Sequence, residues 1–153
     1  MEFSNQKKTR TIKRLFNIIG IAIVVVGLIL LWMKKDTAVL VTAAIFALYV
    51  GAAQFANLCY VFFSTENGKI LIRYYPVISF LKKNYESIEF PQETLLNFKI
   101  EKGLGFSDLT IAIRTKRGIA EYPSISLAAL SKADIEKIRT TLLEIMKKNK
   151  IGI

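Results

Sequence analysis

Two long apolar runs dominate the first third of the chain. Leu15 to Met33 is a run of 19 residues in which Asn17 is the one strongly polar member. Lys34, Lys35 and Asp36 interrupt it, and Thr37 to Leu58 then gives 22 residues without a charge. A helix rises about 1.5 Å per residue, so about 20 residues cross a hydrocarbon layer of about 30 Å. Neither run carries the polar face of a soluble core helix. The pattern predicts a transmembrane α-hairpin over residues 15–58, preceded by a basic arm, residues 1–14. A cleaved signal peptide fits the first run less well. Its apolar stretch exceeds the usual ~7–15 residues, no Ala-x-Ala-like site follows, and a second span begins shortly after.

From Cys59 the texture changes to short alternating segments, so residues 59–150 read as one domain. Tyr60 to Ser64, Lys69 to Tyr75, Asn84 to Phe90, Leu95 to Glu101, Leu109 to Thr115 and Ile119 to Pro123 each alternate or run apolar over strand length. Asn67-Gly68 between the first two is a hairpin signal, because both positions tolerate positive φ. Ser126 to Leu130 reads as a further short strand or a connector. Ser131, with Asp134 three residues on, marks a helix N-terminus. The helix is expected over about Lys132 to Lys148, with Ile135, Ile138, Leu142 and Ile145 forming one apolar stripe. The expected fold class is thus a transmembrane α-hairpin followed by an α+β domain. That domain is an antiparallel six- to seven-stranded bent sheet or open barrel, capped by the C-terminal helix.

Charge gives the hairpin a direction. The chain of 153 residues is 52% hydrophobic yet carries a net charge of +10. Lys7, Lys8, Arg10, Lys13 and Arg14 precede the first span, whereas two lysines and one aspartate lie between the spans. The positive-inside rule places both termini in the cytoplasm, in a multi-pass arrangement. Trp32 and Tyr60 stand at opposite ends of the hairpin, where interfacial aromatic residues sit. No folded motif or aromatic interleaving supports nucleic-acid binding by the arm.

Within the hairpin, Ala43, Ala47 and Gly51 form a stripe of small residues four apart, which lets helices approach closely. The stripe packs either on the chain's own first span, with Gly20 and Gly27 as counterparts, or on another membrane protein; the short inter-span turn favours the first. Asn17, Gln54 and Asn57 fall at similar depth and are expected to share hydrogen bonds. No ionisable group lies deeper in the spans, which argues against transport.

Catalytic chemistry is poorly supplied. With no His and a single Cys, imidazole catalysis, His-ligated metals and Cys-based zinc sites are excluded. The carboxylates fall on polar strand faces, turns and the exposed helix side, and Glu86 and Glu89 point to opposite strand faces. Gly103 and Gly105 read as a loop between strands, since no helix start follows them. Cys59 reads as a small apolar residue at the end of the second span. No catalytic, metal or cofactor residue is assigned. Phe80, Leu81, Lys82 and Lys83 combine apolar and cationic groups in a loop, as a contact with anionic lipid would; the competing reading turns Phe80 and Leu81 into the core.

The chain resembles the bacterial pleckstrin-homology-like family, in its small members with a transmembrane hairpin ahead of the domain. The resemblance is carried by Tyr60-Val61-Phe62-Phe63 entering straight from the second span, Gly68-Lys69-Ile70-Leu71-Ile72, Leu109-Thr110-Ile111-Ala112-Ile113 and the Ser131-to-Met146 helix. It implies a cytosolic scaffold domain that binds protein or lipid and has no catalytic residues. The first hairpin loop, Thr65-Glu66-Asn67-Gly68-Lys69, lacks the clustered cations of phosphoinositide-binding relatives, so that activity is not carried over. The expected function is a noncatalytic inner-membrane accessory or scaffold subunit that docks to another membrane protein. The alternative is a module that binds anionic phospholipid at the membrane surface.

Overall fold

The computed structural model describes residues 1–78, 85–103 and 107–151. Helix α1 runs from Gln6 to Trp32 and helix α2 from Asp36 to Phe55. Both are long and apolar enough to cross a membrane. The tight connection between them has a local cause. Lys34 takes a left-handed conformation at φ 53°, its N–H donates to Leu31 O at 3.0 Å, and the Lys35 N–H donates to Leu30 O at 3.1 Å. These two bonds satisfy carbonyls that the end of α1 would otherwise leave open, and they turn the chain back.

The domain after the hairpin contains two antiparallel four-stranded sheets and a C-terminal helix. The first sheet has the order β1-β2-β3-β4, with β1 Glu2–Ser4, β2 Cys59–Ser64, β3 Lys69–Pro76 and β4 Glu86–Pro91. The second comprises β5 Leu95–Lys102, β6 Ser107–Thr115, β7 Gly118–Glu121 and β8 Ile125–Ser126, with β7 and β8 pairing successive stretches of β6. The Asn67-Gly68 turn forms as its residues dictate, with φ of 52° and 71°.

Two features differ from the sequence expectation. A single six- to seven-stranded bent sheet or barrel is not seen; the strands divide into two sheets of four. The division falls at Pro91, which has no N–H to extend a ladder, and at the single 3-10 turn Gln92–Thr94 that follows. The segment 1–14 is also part of two elements. Residues 2–4 form β1, where Glu2, Phe3 and Ser4 pair with Ser64, Phe63 and Phe62, and the five basic residues lie on the first turns of α1.

Alternation then builds the core. Val61, Phe63, Ile70, Ile72, Ile88 and Phe90 of the first sheet face Leu109, Ile111 and Ile113 of the second, in one buried cluster. Helix α3, Lys132–Ile151, closes it with Ile135, Ile138, Leu142 and Ile145, all buried. Its N-terminus is capped as the sequence predicts, with the Asp134 N–H donating to Ser131 Oγ at 3.2 Å. At the other end Asn149 Nδ2 donates to Gln92 O at 2.8 Å and Leu95 O at 3.1 Å, tying α3 to the link between the sheets.

Candidate functional site

The hairpin shows which of its faces is occupied. The Phe16 and Tyr49 rings stack with centroids 4.8 Å apart, and the Tyr49 hydroxyl donates to Phe16 O at 2.9 Å. Gly20 makes room for this pairing: a Cβ there would stand 3.9 Å from Tyr49 Cε1 and 4.0 Å from Phe46 Cε2. Gly27 does the same for Thr42, whose Cγ2 would lie 3.6 Å from such a Cβ. The face that α1 turns to α2 is therefore Phe16, Gly20 and Gly27, against Tyr49, Phe46 and Thr42.

Ala43 lines a small hollow with Gly27 and Thr42 at the edge of this contact, and Ala47 is not among the residues that Gly20 and Gly27 meet. Both alanines are exposed, and nothing stands within 4 Å of a Cβ built on Gly51. The two glycines foreseen as counterparts do face α2, but they meet its larger residues and not its small stripe. Asn17 and Gln54 are exposed and form no hydrogen bond with each other or with Asn57. Asn57 has a different role. It lies two residues past Phe55 at φ 41°, and its N–H donates to Gln54 O at 3.2 Å, ending the helix. The polar contact between the helices is supplied by Tyr49, a residue that the amphipathic pattern does not distinguish from its apolar neighbours.

Where the hairpin meets the domain, one side chain joins three elements. Asn5 is 6% exposed. Its Nδ2 donates to Cys59 O at 3.1 Å and its Oδ1 accepts the Val61 N–H at 2.9 Å. Its own N–H donates to Val61 O at 3.3 Å. Thr9, also buried, donates through Oγ1 to Asn5 O at 3.2 Å and Gln6 O at 3.1 Å. The start of α1 is thereby fastened to the first residues of β2, which leave α2. Both legs of the hairpin are held to the domain at one point.

The neighbouring titratable groups are held in their neutral forms. Burial pushes the Cys59 thiol up to about 11, with Asp108 and Glu86 adding to the shift. Burial also raises Tyr74 strongly, and its hydroxyl donates to the Glu86 carboxylate across the β3–β4 pair. A buried thiol with a raised pKa is a poor nucleophile and a poor lipidation acceptor.

On the outer face of the first sheet three tyrosines form a row. Tyr60 and Tyr75 are cross-strand partners with ring centroids 4.7 Å apart, and Tyr85 continues the row at 4.9 Å from Tyr75. Ser4 Oγ donates to the Tyr60 hydroxyl at 3.2 Å. Burial raises the Tyr75 pKa, Tyr60 and Tyr85 add to the rise, and the positive charge of Arg10 opposes it. Arg10 on α1 is thus near enough for its charge to act on Tyr75.

No group of three or more metal-ligating side chains occurs among the described residues. A concavity of about 700 Å³ lies beside the end of α3 and is lined by Leu96, Arg114, Met146, Lys148 and Lys150 among others. Its cations are exposed, and no nucleophile–base pair stands in it. Phe80, Leu81, Lys82 and Lys83 lie outside the described residues. Comparison with protein-family models, with curated proteins and with solved structures finds no match.

Proposed function

We propose that this chain is a noncatalytic accessory or scaffold subunit of a membrane-protein complex, anchored by its helical hairpin in a bacterial inner membrane. Both termini lie in the cytoplasm, and the domain is pleckstrin-homology-like. Two antiparallel sheets over one core, closed by a C-terminal helix, support that fold reading. The five cations on the first turns of α1 support the orientation.

The observation that carries the docking role is the outward face of the hairpin. Ala43 and Ala47 are exposed, and the side-chain amides of Asn17 and Gln54 have no hydrogen-bond partner among the described residues. In lipid an unsatisfied amide costs several kcal/mol, and small residues let a second helix come close. A neighbouring transmembrane helix meets both requirements. The test is to extract the full chain in mild detergent, as wild type and as Ala43→Leu/Ala47→Leu. A membrane-protein partner in fixed stoichiometry that is lost from the variant supports the reading. A wild-type chain that purifies alone, as the variant does, contradicts it.

A second reading, contact of the domain with anionic lipid, is favoured by the basic turns of α1 next to the tyrosine row.

A further inference from the structure

The depth at which the tyrosine row sits can be worked out along two independent paths. Along α1, Arg10 lies five residues before Leu15, where the apolar run begins, so it stands about 7 Å beyond the hydrocarbon edge. Along the other leg, Tyr60 lies two residues past Leu58, the last apolar residue of the second run, or about 7 Å at the rise of an extended strand. The headgroup layer on each side of a bilayer is about 5–8 Å thick. Both paths end inside it. The Asn5 clamp holds the two legs together at this level, so the depths are not independent accidents of two loose segments.

The chemistry of the row suits that layer. Tyrosine places an apolar ring against acyl chains and a hydroxyl among headgroups, which is why it collects at membrane interfaces. Tyr85 leaves 68% of its surface exposed although it ends a ring stack. Lys7, Lys8, Arg10, Lys13 and Arg14 occupy adjacent turns of α1, and cations near an anionic leaflet attract its phosphates. Trp32, 88% exposed, marks the opposite end of the same helix, about 33 Å from Arg10 along the axis. The distance matches one hydrocarbon layer with its edge.

From this we infer that the row Tyr60–Tyr75–Tyr85, with Arg10 beside it, is a seat in the phospholipid headgroup layer. The domain rests on the membrane through the hairpin end of its first sheet, the rings against the lipid and Arg10 on headgroup phosphate. This rests on the reading that α1 and α2 span a bilayer. It adds a fixed orientation: the outer face of the first sheet meets lipid, and the concavity beside the end of α3 does not.

The test uses the full chain, without partners, in vesicles of phosphatidylcholine and phosphatidylglycerol carrying a spin label either at the headgroup or deep in the acyl chain. In a Trp32→Phe background, Tyr85→Trp and, separately, Tyr75→Trp supply a single fluorescent reporter. Each is expected to be quenched more by the headgroup label than by the deep label, with emission shifted to the blue of a water-exposed indole. Adding Arg10→Glu is expected to reduce that quenching. Wild-type Trp32 provides the control for the hairpin. Quenching of Trp32 with neither domain reporter quenched overturns the seat and leaves the hairpin standing. Failure to quench Trp32 overturns the spanning hairpin and the seat with it.

Discussion

At the scale of single residues, Asn5 has the largest structural role for its size. Its primary amide carries a donor and an acceptor on one planar group, and it uses them together on Cys59 O and the Val61 N–H. Removing it leaves two buried backbone groups unpaired, at about 1–3 kcal/mol each. Asn5→Ala is expected to lower the stability of the domain by about 3 kcal/mol and to speed amide exchange at Val61, read by hydrogen exchange in detergent micelles. Wild-type protection at Val61 in the variant would show that the clamp is dispensable. Nothing in the sequence around Met1-Glu2-Phe3-Ser4-Asn5 signals this role, because the partners lie 54 and 56 residues away.

Cys59 gives a pH dependence with a definite sign. Its thiol is raised in the folded chain from 9.0 to about 11, so the folded state keeps a proton that the unfolded state releases. The stabilisation is complete below pH 9 and declines as pH rises toward 11, by at most about 2 kcal/mol. Unfolding midpoints measured from pH 8 to 11 should fall in the wild type and fall less steeply in Cys59→Ala. Below pH 8 the native thiol should resist alkylation, and rapid modification of folded protein would contradict its burial. Here the sequence reading of a small apolar residue agrees with the structure, since position next to an apolar run is a local property.

At the scale of elements, the strands after Cys59 were legible because alternation is a local consequence of burying one sheet face. The α3 stripe of Ile135, Ile138, Leu142 and Ile145 was legible for the corresponding reason in helices. Strand β1 was not. Glu2-Phe3-Ser4 is too short to alternate, and its pairing to Phe62, Phe63 and Ser64 is made across the whole hairpin. The split into two sheets depends on where ladders stop, which Pro91 allows but does not by itself announce.

The hairpin faces were not legible for a different reason. A stripe such as Ala43, Ala47 and Gly51 looks the same whether it meets the neighbouring helix of its own chain or a foreign one. The aromatic pair Phe16–Tyr49 marks the face on which the two helices meet, and Gly20 lies against it with room for a methyl group and little more. Gly20→Ala is expected to be tolerated, since its Cβ finds ordinary contacts at 3.9 and 4.0 Å. Gly20→Ile would drive the rings apart and break the Tyr49 hydrogen bond, costing about 1–3 kcal/mol. Titration of the folded chain with a denaturing detergent, followed by Tyr49 ring proximity or helix separation, should distinguish the two. Equal midpoints for both variants would show that this face is not the packed one.

At the scale of the molecule, the features form one arrangement. An oily, strongly basic chain divides into a hairpin whose helices meet through an aromatic pair near its open end and a domain fastened to both legs of that hairpin. What is left over is an exposed surface with small residues and side-chain amides that have no partner among the described residues. The central claim is that another membrane protein covers it. The most direct measurement is photo-crosslinking in intact cells, with a photoreactive side chain placed at Ala43, at Ala47 and, for comparison, at Val25 on the exposed side of α1. The expected result is one discrete protein adduct from positions 43 and 47, and none from 25. Lipid adducts alone from all three positions would contradict the claim.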